Sequence, residues 1–304
     1  MGNSVVIYPE ARYSLCGTTA LLPKSLGKLA KFLNVPVLTL ICHGHHINSP
    51  FWDTSHDRGV SPTKATYKVL VEKDELESLS VDEINERIVN EFEYDDFRWQ
   101  KENNIIVNDP LRAKGLHRVL YKCPYCNDEY SMDSDGIYLT CKKCGVKIEM
   151  TELGELKALN NKDIFTHIPD WYEWERDEVR KEIENGTYST GLLECQVDSL
   201  PNAKGYIDLG QGTLIHDMNG FKVRVNNEKY DFEMIKPVES LYSCHIEYQY
   251  LFKKGDCIDL NTLKDTWYVY PKGKFNVTKI ALATEELYKK NQIDKGIELK
   301  KGII

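Results

Sequence analysis

The sequence predicts an α+β protein of several domains, and three patterns along the chain support this class. Near the amino terminus an apolar strand, an amphipathic helix and a second apolar strand follow one another. Two Cys-x-x-Cys pairs stand close together in the middle of the chain, and short alternating segments followed by one helix occupy its last third. A length of 304 residues leaves room for two or three domains.

These patterns divide the chain into four parts. We expect a partial α/β domain over residues 1–115, a cysteine module over 116–150, a helical linker over 151–203 and a β-rich domain with a C-terminal helix over 204–304. Each boundary lies where the hydrophobic periodicity changes from one type to another.

The first part carries the pattern strand, helix, strand. Val5–Tyr8 is an apolar run typical of a buried strand, and Pro9 ends it. Apolar residues recur at helical spacing over Ser25–Leu33, and the apolar run 35–44 follows directly. This order predicts a parallel crossover unit, and a further strand is expected over 66–72.

Two longer helices have recognisable ends. Ser80 and Glu83 have the spacing of a capping box at the start of the first. Asp170 is expected to cap the second, which Gly186 would end. Trp171 and Trp174 of the second helix suit either a membrane interface or packing against the neighbouring modules, and the many acids of this helix favour packing.

The last part alternates between short apolar segments and turns. The segments are GYIDL, GTLIHD, FKVRV, KYDFEM, LYSCHIEYQYLF, DCIDL and WYVYP, and the helix KIALATEELYKKN closes the series. Such a count predicts a small barrel or sandwich of pleckstrin-homology-like layout.

The cysteine module predicts a zinc ribbon. Its two pairs are Cys123 with Cys126 and Cys141 with Cys144, separated by fourteen residues, and Gly145 follows the second pair. Two such pairs supply the four thiolates that a tetrahedral Zn²⁺ site needs, whereas a redox disulfide fits one pair better than two. Four thiolates leave no open coordination position, so the metal is expected to be structural.

Composition excludes several classes of function. A net charge of -8 argues against general nucleic-acid binding. The chain has no apolar run long enough to span a bilayer and no signal-peptide pattern at its start. Nine cysteines, an odd number, suit a reducing compartment, so we expect a cytoplasmic protein.

The segments IYPEARYS and LLPKSLGKLAKFLNVPVLTLI resemble the later half of the PlsC-type glycerolipid (1-acylglycerol-3-phosphate) acyltransferase domain. That family has a Phe-Pro-Glu-Gly-Thr-Arg-Ser-like block, a basic helix entrance and a Val-Pro-Val strand. The matching residues are Tyr8, Pro9, Glu10, Ser14, Lys24, Val35, Pro36 and Val37. The resemblance covers about residues 4–70. Ala11 and Arg12 replace the Gly-Thr of the block, so the arginine is shifted by one position.

The resemblance implies transfer of an acyl group from a thioester donor, acyl-CoA or acyl-carrier protein, to a lysophosphatidate-like glycerophospholipid. Glu10, Arg12 and Lys24 would then contact the acceptor, and strand 35–41 would line the acyl channel. The family's catalytic His-x-x-x-x-Asp motif does not occur in the 304 residues. We therefore expect the C-terminal part of a longer enzyme of phospholipid biosynthesis, in peripheral contact with the membrane.

Three histidines follow the Val-Pro-Val strand. His43, His45 and His46 could hold a metal completed by Asp53 or Asp57, contact substrate at the strand end, or pack as ordinary polar side chains. In a strand His43 and His45 would share one face, so these two are the candidates for substrate binding.

A non-catalytic function remains the alternative. In that interpretation the zinc ribbon and the β-rich domain recognise a lipid surface or a protein, and the first part is only a scaffold. Glu10 and Arg12 would then form a plain surface ion pair, and Lys24 would be an ordinary solvated lysine.

Overall fold

The computed structural model describes residues 4–54, 58, 62–201, 204–251, 254–263, 265–299 and 302–303. Within them the helices are α1 (Ser25–Leu33), α2 (His45–Asn48), α3 (Glu75–Ser78), α4 (Val81–Glu91), α5 (Asp96–Glu102), α6 (Ile168–Glu184) and α7 (Val277–Asp294). None of these helices is both long and apolar enough to cross a bilayer.

The strands form three antiparallel sheets, which confirms the α+β class. They are β1 (Val37–His43), β2 (Lys64–Val71), β3 (Met132–Asp135), β4 (Tyr138–Cys141), β5 (Lys147–Met150), β6 (Leu156–Ala158), β7 (Leu193–Ser199), β8 (Ile207–Asp217), β9 (Gly220–Asn226), β10 (Asp231–Pro237), β11 (His245–Tyr250), β12 (Gly255–Asn261) and β13 (Thr266–Pro271). The sheets have the orders β1-β2, β3-β4-β5-β6 and β10-β9-β8-β7-β13-β12-β11.

The predicted parallel crossover near the amino terminus is wrong. Val5–Tyr8 forms no strand and its side chains are exposed. A strand needs a neighbour to pair its N–H and C=O groups, and the described residues place none beside this run. The run after α1 instead pairs antiparallel with β2, which places Leu40 opposite Tyr67.

A small separate core holds α1, α3 and α4 together. Its buried residues are Leu22, Ala30, Val71, Leu76, Ile84, Ile88 and Ile303. Helix α1 follows its predicted bounds, and the capping box of α4 is present as predicted, with Ser80 accepting from the Glu83 N–H. Gly27 allows α1 to lie close to α4, because a Cβ there would stand 2.5 Å from the Val81 carbonyl oxygen.

The main core joins the cysteine module, the two long helices and the seven-stranded sheet. Helices α6 and α7 pack against each other, and α7 also contacts β11 and β12. Trp171 is buried and its indole N–H donates to the Lys122 carbonyl oxygen at 3.0 Å, which confirms the predicted packing for this ring. The N-cap of α6 is His167 and not Asp170, because the helix begins at Ile168 with Pro169 in its first turn.

The seven-stranded sheet is open and does not close into a barrel. The sheet has seven strands and is followed by one helix, as predicted, but the number of strands agrees only because two errors cancel. Strand β7 lies inside the predicted linker, whereas GYIDL and GTLIHD belong to the single strand β8. Gly210 lies within β8, where its φ of +91° accompanies a register irregularity between β7 and β8, and the strand continues past it.

Candidate functional sites

The four cysteines of the module lie on two similar backbone turns. The N–H of Asn127 donates to the Cys123 carbonyl oxygen, and the N–H of Gly145 donates to that of Cys141, both at 2.8 Å. Asn127 and Gly145 have φ values of 57° and 77°, the left-handed conformation that glycine and asparagine tolerate best. Each turn points two thiols toward the other turn.

The sulfur positions fit one metal ion. Sγ of Cys123 lies 3.7 Å from that of Cys144, and Sγ of Cys126 lies 3.7 Å from that of Cys141. The four sulfur atoms all lie within 4.8 Å of one another. A tetrahedron with metal–sulfur bonds of about 2.3 Å has edges of about 3.8 Å, whereas a disulfide would bring two sulfurs to about 2 Å. The four cysteines therefore have the arrangement of a metal-binding site.

The thiols of this site differ in acidity. Burial raises the pKa of the Cys123 thiol. Burial also acts on Cys144, but the backbone N–H of Val146 and hydrogen bonds from the other thiols outweigh it and lower the pKa. Because a metal binds thiolates, loading the site releases protons and becomes less favourable as the pH falls.

The N-terminal segment (residues 4–24, before α1) carries Arg12 into the interior. The Arg12 guanidinium forms an ion pair with Glu285 of α7 at 2.5 Å, and the two side chains are 9% and 1% exposed. The interpretation of Glu10 and Arg12 as a plain surface ion pair is therefore wrong. The Glu10 carboxylate accepts the N–H of Ala20 at 2.7 Å, which closes the turn between them. Burial raises the pKa of Glu10, although that hydrogen bond and Arg12 oppose the change.

Arg12 also lines a cavity of about 630 Å³ between the N-terminal segment, α6 and α7. The cationic residues of its wall are Arg12, Arg176, Arg180, Lys289 and Lys290, and the acidic ones are Glu173, Glu184, Glu286 and Asp294. The wall also carries four hydroxyl groups (Ser14, Thr18, Thr19 and Tyr172) and apolar residues that include Leu15, Leu21, Ile183, Ile293 and Ile303. The cavity thus offers both charged and apolar contacts.

An ionic network holds the two helices at this cavity. Arg176 contacts Glu285 at 2.5 Å and Glu286 at 3.3 Å, and Arg180 contacts Glu286 at 2.8 Å. Burial raises the pKa of Glu286, but Lys289 and the hydrogen bond from Arg180 prevail and lower it to about 2. Arg12 keeps one nitrogen, Nη1, that is buried and has no hydrogen-bond partner in the described part of the chain.

The other predicted substrate contacts lie elsewhere. Lys24 precedes α1, and its ammonium group donates to the Glu298 carbonyl oxygen at 3.1 Å. His43 ends β1 and stacks on Trp99 with ring centroids 5.4 Å apart, whereas His45 is the exposed first residue of α2. Glu10, Lys24, His43 and His45 are not among the cavity-lining residues described here, so the structure does not bring the five candidates together.

The histidine cluster packs locally in the part that the structure describes. His46 lies against the rings of Trp52 and Phe97, and burial lowers its pKa to about 3. The carboxylate of Asp96 accepts the N–H groups of Gly44 and His46 at the start of α2. No group of three metal ligands among the described residues includes these imidazoles. Asp57, one proposed ligand, lies outside the described residues.

Sequence reasoning missed two glutamates of the ionic network, Glu285 beside Arg12 and Glu286 beside Arg180. Both stand in the apolar stretch IALATEELY of α7, and two adjacent acids in such a stretch were the available signal. Two adjacent carboxylates in a buried helix require cationic partners. The partners are the arginines of α6 and the N-terminal segment.

No family model matches the chain, and no curated protein matches it either. The function of the chain is therefore inferred from the geometry of the chain's own residues.

Proposed function

We propose that this chain is the acceptor-binding part of a PlsC-type glycerolipid acyltransferase and that a lysophosphatidate-like acceptor binds in the cavity beside Arg12. The observation that carries the proposal is the position of Arg12. It belongs to the segment that resembles the family's Pro-Glu block, it lines the cavity, and its buried Nη1 atom has no hydrogen-bond partner among the described residues.

The cavity has the chemistry that such an acceptor needs. Guanidinium groups bind phosphate oxygens through paired, charge-assisted hydrogen bonds, and Arg180 is 41% exposed and accessible for this. Apolar residues such as Ile183 and Ile293 offer contact for an acyl chain. The volume of about 630 Å³ is within the usual range for small-molecule sites.

The acyl transfer itself needs a general base for the acceptor hydroxyl. The His-x-x-x-x-Asp motif that would supply it in this family is absent from the 304 residues. In our proposal the residues of this chain bind and orient the acceptor, while the base and the contacts to the acyl thioester come from a further catalytic segment.

The two-stranded sheet offers a surface for that segment. Leu38 pairs with Val69 and Leu40 pairs with Tyr67, so all four side chains lie on one face of the sheet. All four are exposed. A two-stranded sheet is marginal by itself, and an exposed apolar face marks an interaction site. We propose that the base-carrying segment covers this face.

The metal of the four-cysteine site is proposed to be Zn²⁺, held as a structural staple. Four thiolates in a tetrahedron suit zinc and leave no position for a substrate. The module over 116–150 has three short strands, and its buried side chains pack into the main core that it shares with the long helices and the large sheet, so a bound metal would add to its folding free energy.

Binding of lysophosphatidate, measured by isothermal titration calorimetry below its critical micelle concentration, tests the proposal. We expect the wild-type chain to bind and Arg180→Gln to bind at least tenfold more weakly, since one charge-assisted contact contributes about 1.5–3 kcal/mol. Arg224→Gln is the matched control, because Arg224 is comparably exposed and lies on β9, outside the cavity wall.

A wild-type chain that does not bind lysophosphatidate would refute the proposal, and so would an equal loss in both variants. The exposed apolar face favours one second candidate, a non-catalytic module that docks on a lipid surface or a protein. That function predicts binding to vesicles that Leu40→Lys abolishes and Arg180→Gln leaves unchanged.

A further inference from the structure

A second group of metal-ligand side chains lies at the edge of the seven-stranded sheet. His245 and Glu247 are on the edge strand β11, and Asp259 is on the neighbouring strand β12. His245 pairs with Asp259, and Glu247 pairs with Cys257. Since paired residues and residues two apart share a face of the sheet, all four side chains project from the same face.

The donor atoms are close enough to share one ion. One ligand atom from each of His245, Glu247 and Asp259 lies within 4.8 Å of the other two, and Nε2 of His245 is 3.4 Å from Oε1 of Glu247. Ligands at about 2.0–2.2 Å from a zinc ion stand about 3.0–3.5 Å apart. The half-buried side chains of His245 and Glu247 must move by about 1.5 Å or less to close the site.

The charge of the group favours a cation. Asp259 is 8% exposed, and its carboxylate shares the face with that of Glu247. Among the described residues, the His245 imidazole is the one basic group within ion-pair distance of either carboxylate. No described Lys or Arg comes that close. Two carboxylates lie near one imidazole, and the Asp259 carboxylate is buried. The group therefore has an excess of negative charge that a divalent ion would neutralise.

We propose that His245, Glu247 and Asp259 bind a second divalent transition metal, with Zn²⁺ as the favoured ion. One imidazole with two carboxylates suits zinc better than Mg²⁺ or Ca²⁺, which prefer oxygen ligands only. The thiol of Cys257 donates to Oδ1 of Asp259 at 3.6 Å, beside the three proposed ligands.

This site differs from the four-cysteine site in its position and in its effect. It joins the edge strand β11 to β12, its neighbour among the described strands, and the β11–β12 pairing is irregular between Glu247 and Tyr250. An ion held by both strands fastens this edge. Binding to the folded state alone raises the melting temperature with the concentration of free metal.

Metal content of the full chain tests the inference. After equilibration with excess Zn²⁺ and desalting, elemental analysis is expected to give two zinc ions per wild-type chain. His245→Ala and Glu247→Gln should each retain one, held by the four cysteines. Glu233→Gln is the control, since Glu233 is a glutamate of the same sheet that lies on β10, away from the proposed site, and it should retain two.

The second readout is thermal. Added Zn²⁺ should raise the melting temperature of the zinc-loaded wild-type chain and of Glu233→Gln, but not that of the other two variants. Retention of the cysteine-bound zinc and an unchanged far-ultraviolet circular dichroism spectrum show that a variant is folded. A single zinc per wild-type chain would overturn the inference, and so would a second zinc that both His245→Ala and Glu247→Gln retain.

Discussion

At the scale of single residues, the ion pair between Arg12 and Glu285 links the N-terminal segment to the last long helix. Glu285 also accepts from Arg176, so one buried carboxylate balances two guanidinium groups. Such a carboxylate stabilises the fold mainly because its absence would leave buried cations without a partner. The position of Arg12 at the cavity wall thus depends on a residue near the other end of the chain.

Replacing Glu285 by glutamine should therefore be strongly destabilising. We expect Glu285→Gln to lower the free energy of unfolding by about 3–5 kcal/mol, as for other broken buried ion pairs. Urea denaturation measures the loss. Glu233→Gln breaks an exposed pair with Lys222 and should cost less than about 1 kcal/mol. A loss in Glu285→Gln as small as in this control would contradict the assigned role.

The acidity of Glu286 predicts how stability depends on pH. Its pKa is about 2 in the folded chain against an ordinary value of 4.5, so its ionised form is favoured by folding. This contribution is complete above pH 4.5 and is lost as the pH falls toward 2. The difference in free energy of unfolding between wild type and Glu286→Gln should shrink from pH 6 to pH 3. A difference that stays constant over this range would show that Glu286 has an ordinary pKa.

At the scale of elements, the start of α4 offers a local test. Ser80 accepts the Glu83 N–H, and the Glu83 carboxylate accepts the Ser80 N–H. Ser80→Ala should lower the free energy of unfolding by about 1 kcal/mol because one capping hydrogen bond is lost. Ser25→Ala is the control, because Ser25 is the first residue of α1 and the described start of that helix has no side-chain capping hydrogen bond. Equal effects of the two changes in urea denaturation would argue against the capping box.

The cysteine module offers a second test at this scale. Cys144→Ser should lower the zinc content by one ion per chain and reduce the melting temperature, because a thiolate of the tetrahedron is lost. Cys42→Ser is the control, since Cys42 is also exposed but lies on β1. Elemental analysis and differential scanning calorimetry measure the two effects. Unchanged zinc in Cys144→Ser would exclude it as a ligand.

Elements with local signals were predictable from the sequence. The metal site depends on two short cysteine motifs, and the cap of α4 depends on residues three apart, so both could be recognised without the fold. Val5–Tyr8 has the composition of a strand, but a strand also needs a partner, and composition does not reveal one. Composition likewise does not reveal that β1 pairs antiparallel with β2.

The cavity could not be predicted, because its wall combines distant parts of the chain. Arg12 and Glu285 meet only through the packing of α7 against α6 and the N-terminal segment. Nothing in the spacing of either residue indicates the other. His245, Glu247 and Asp259 lie within fifteen positions, but strand register rather than motif spacing brings them together.

At the scale of the whole molecule, a chain with a net charge of -8 gathers five cationic side chains around one cavity. Several of them are committed to the acids of the same wall, so the site is ionic and close to balanced rather than strongly positive. Such a site favours an amphipathic ligand with a compact anionic group over a long polyanion. The proposed lysophosphatidate-like acceptor is a ligand of this kind.

Hydrogen exchange followed by mass spectrometry tests directly whether the acceptor binds in the cavity beside Arg12. Lysophosphatidate should slow exchange of amides in residues 12–21 and in the C-terminal turn of α7, both of which line the cavity. It should leave the cysteine module and β8–β10 unchanged. Protection confined to the cysteine module or the seven-stranded sheet, or no protection at saturating ligand, would contradict the account.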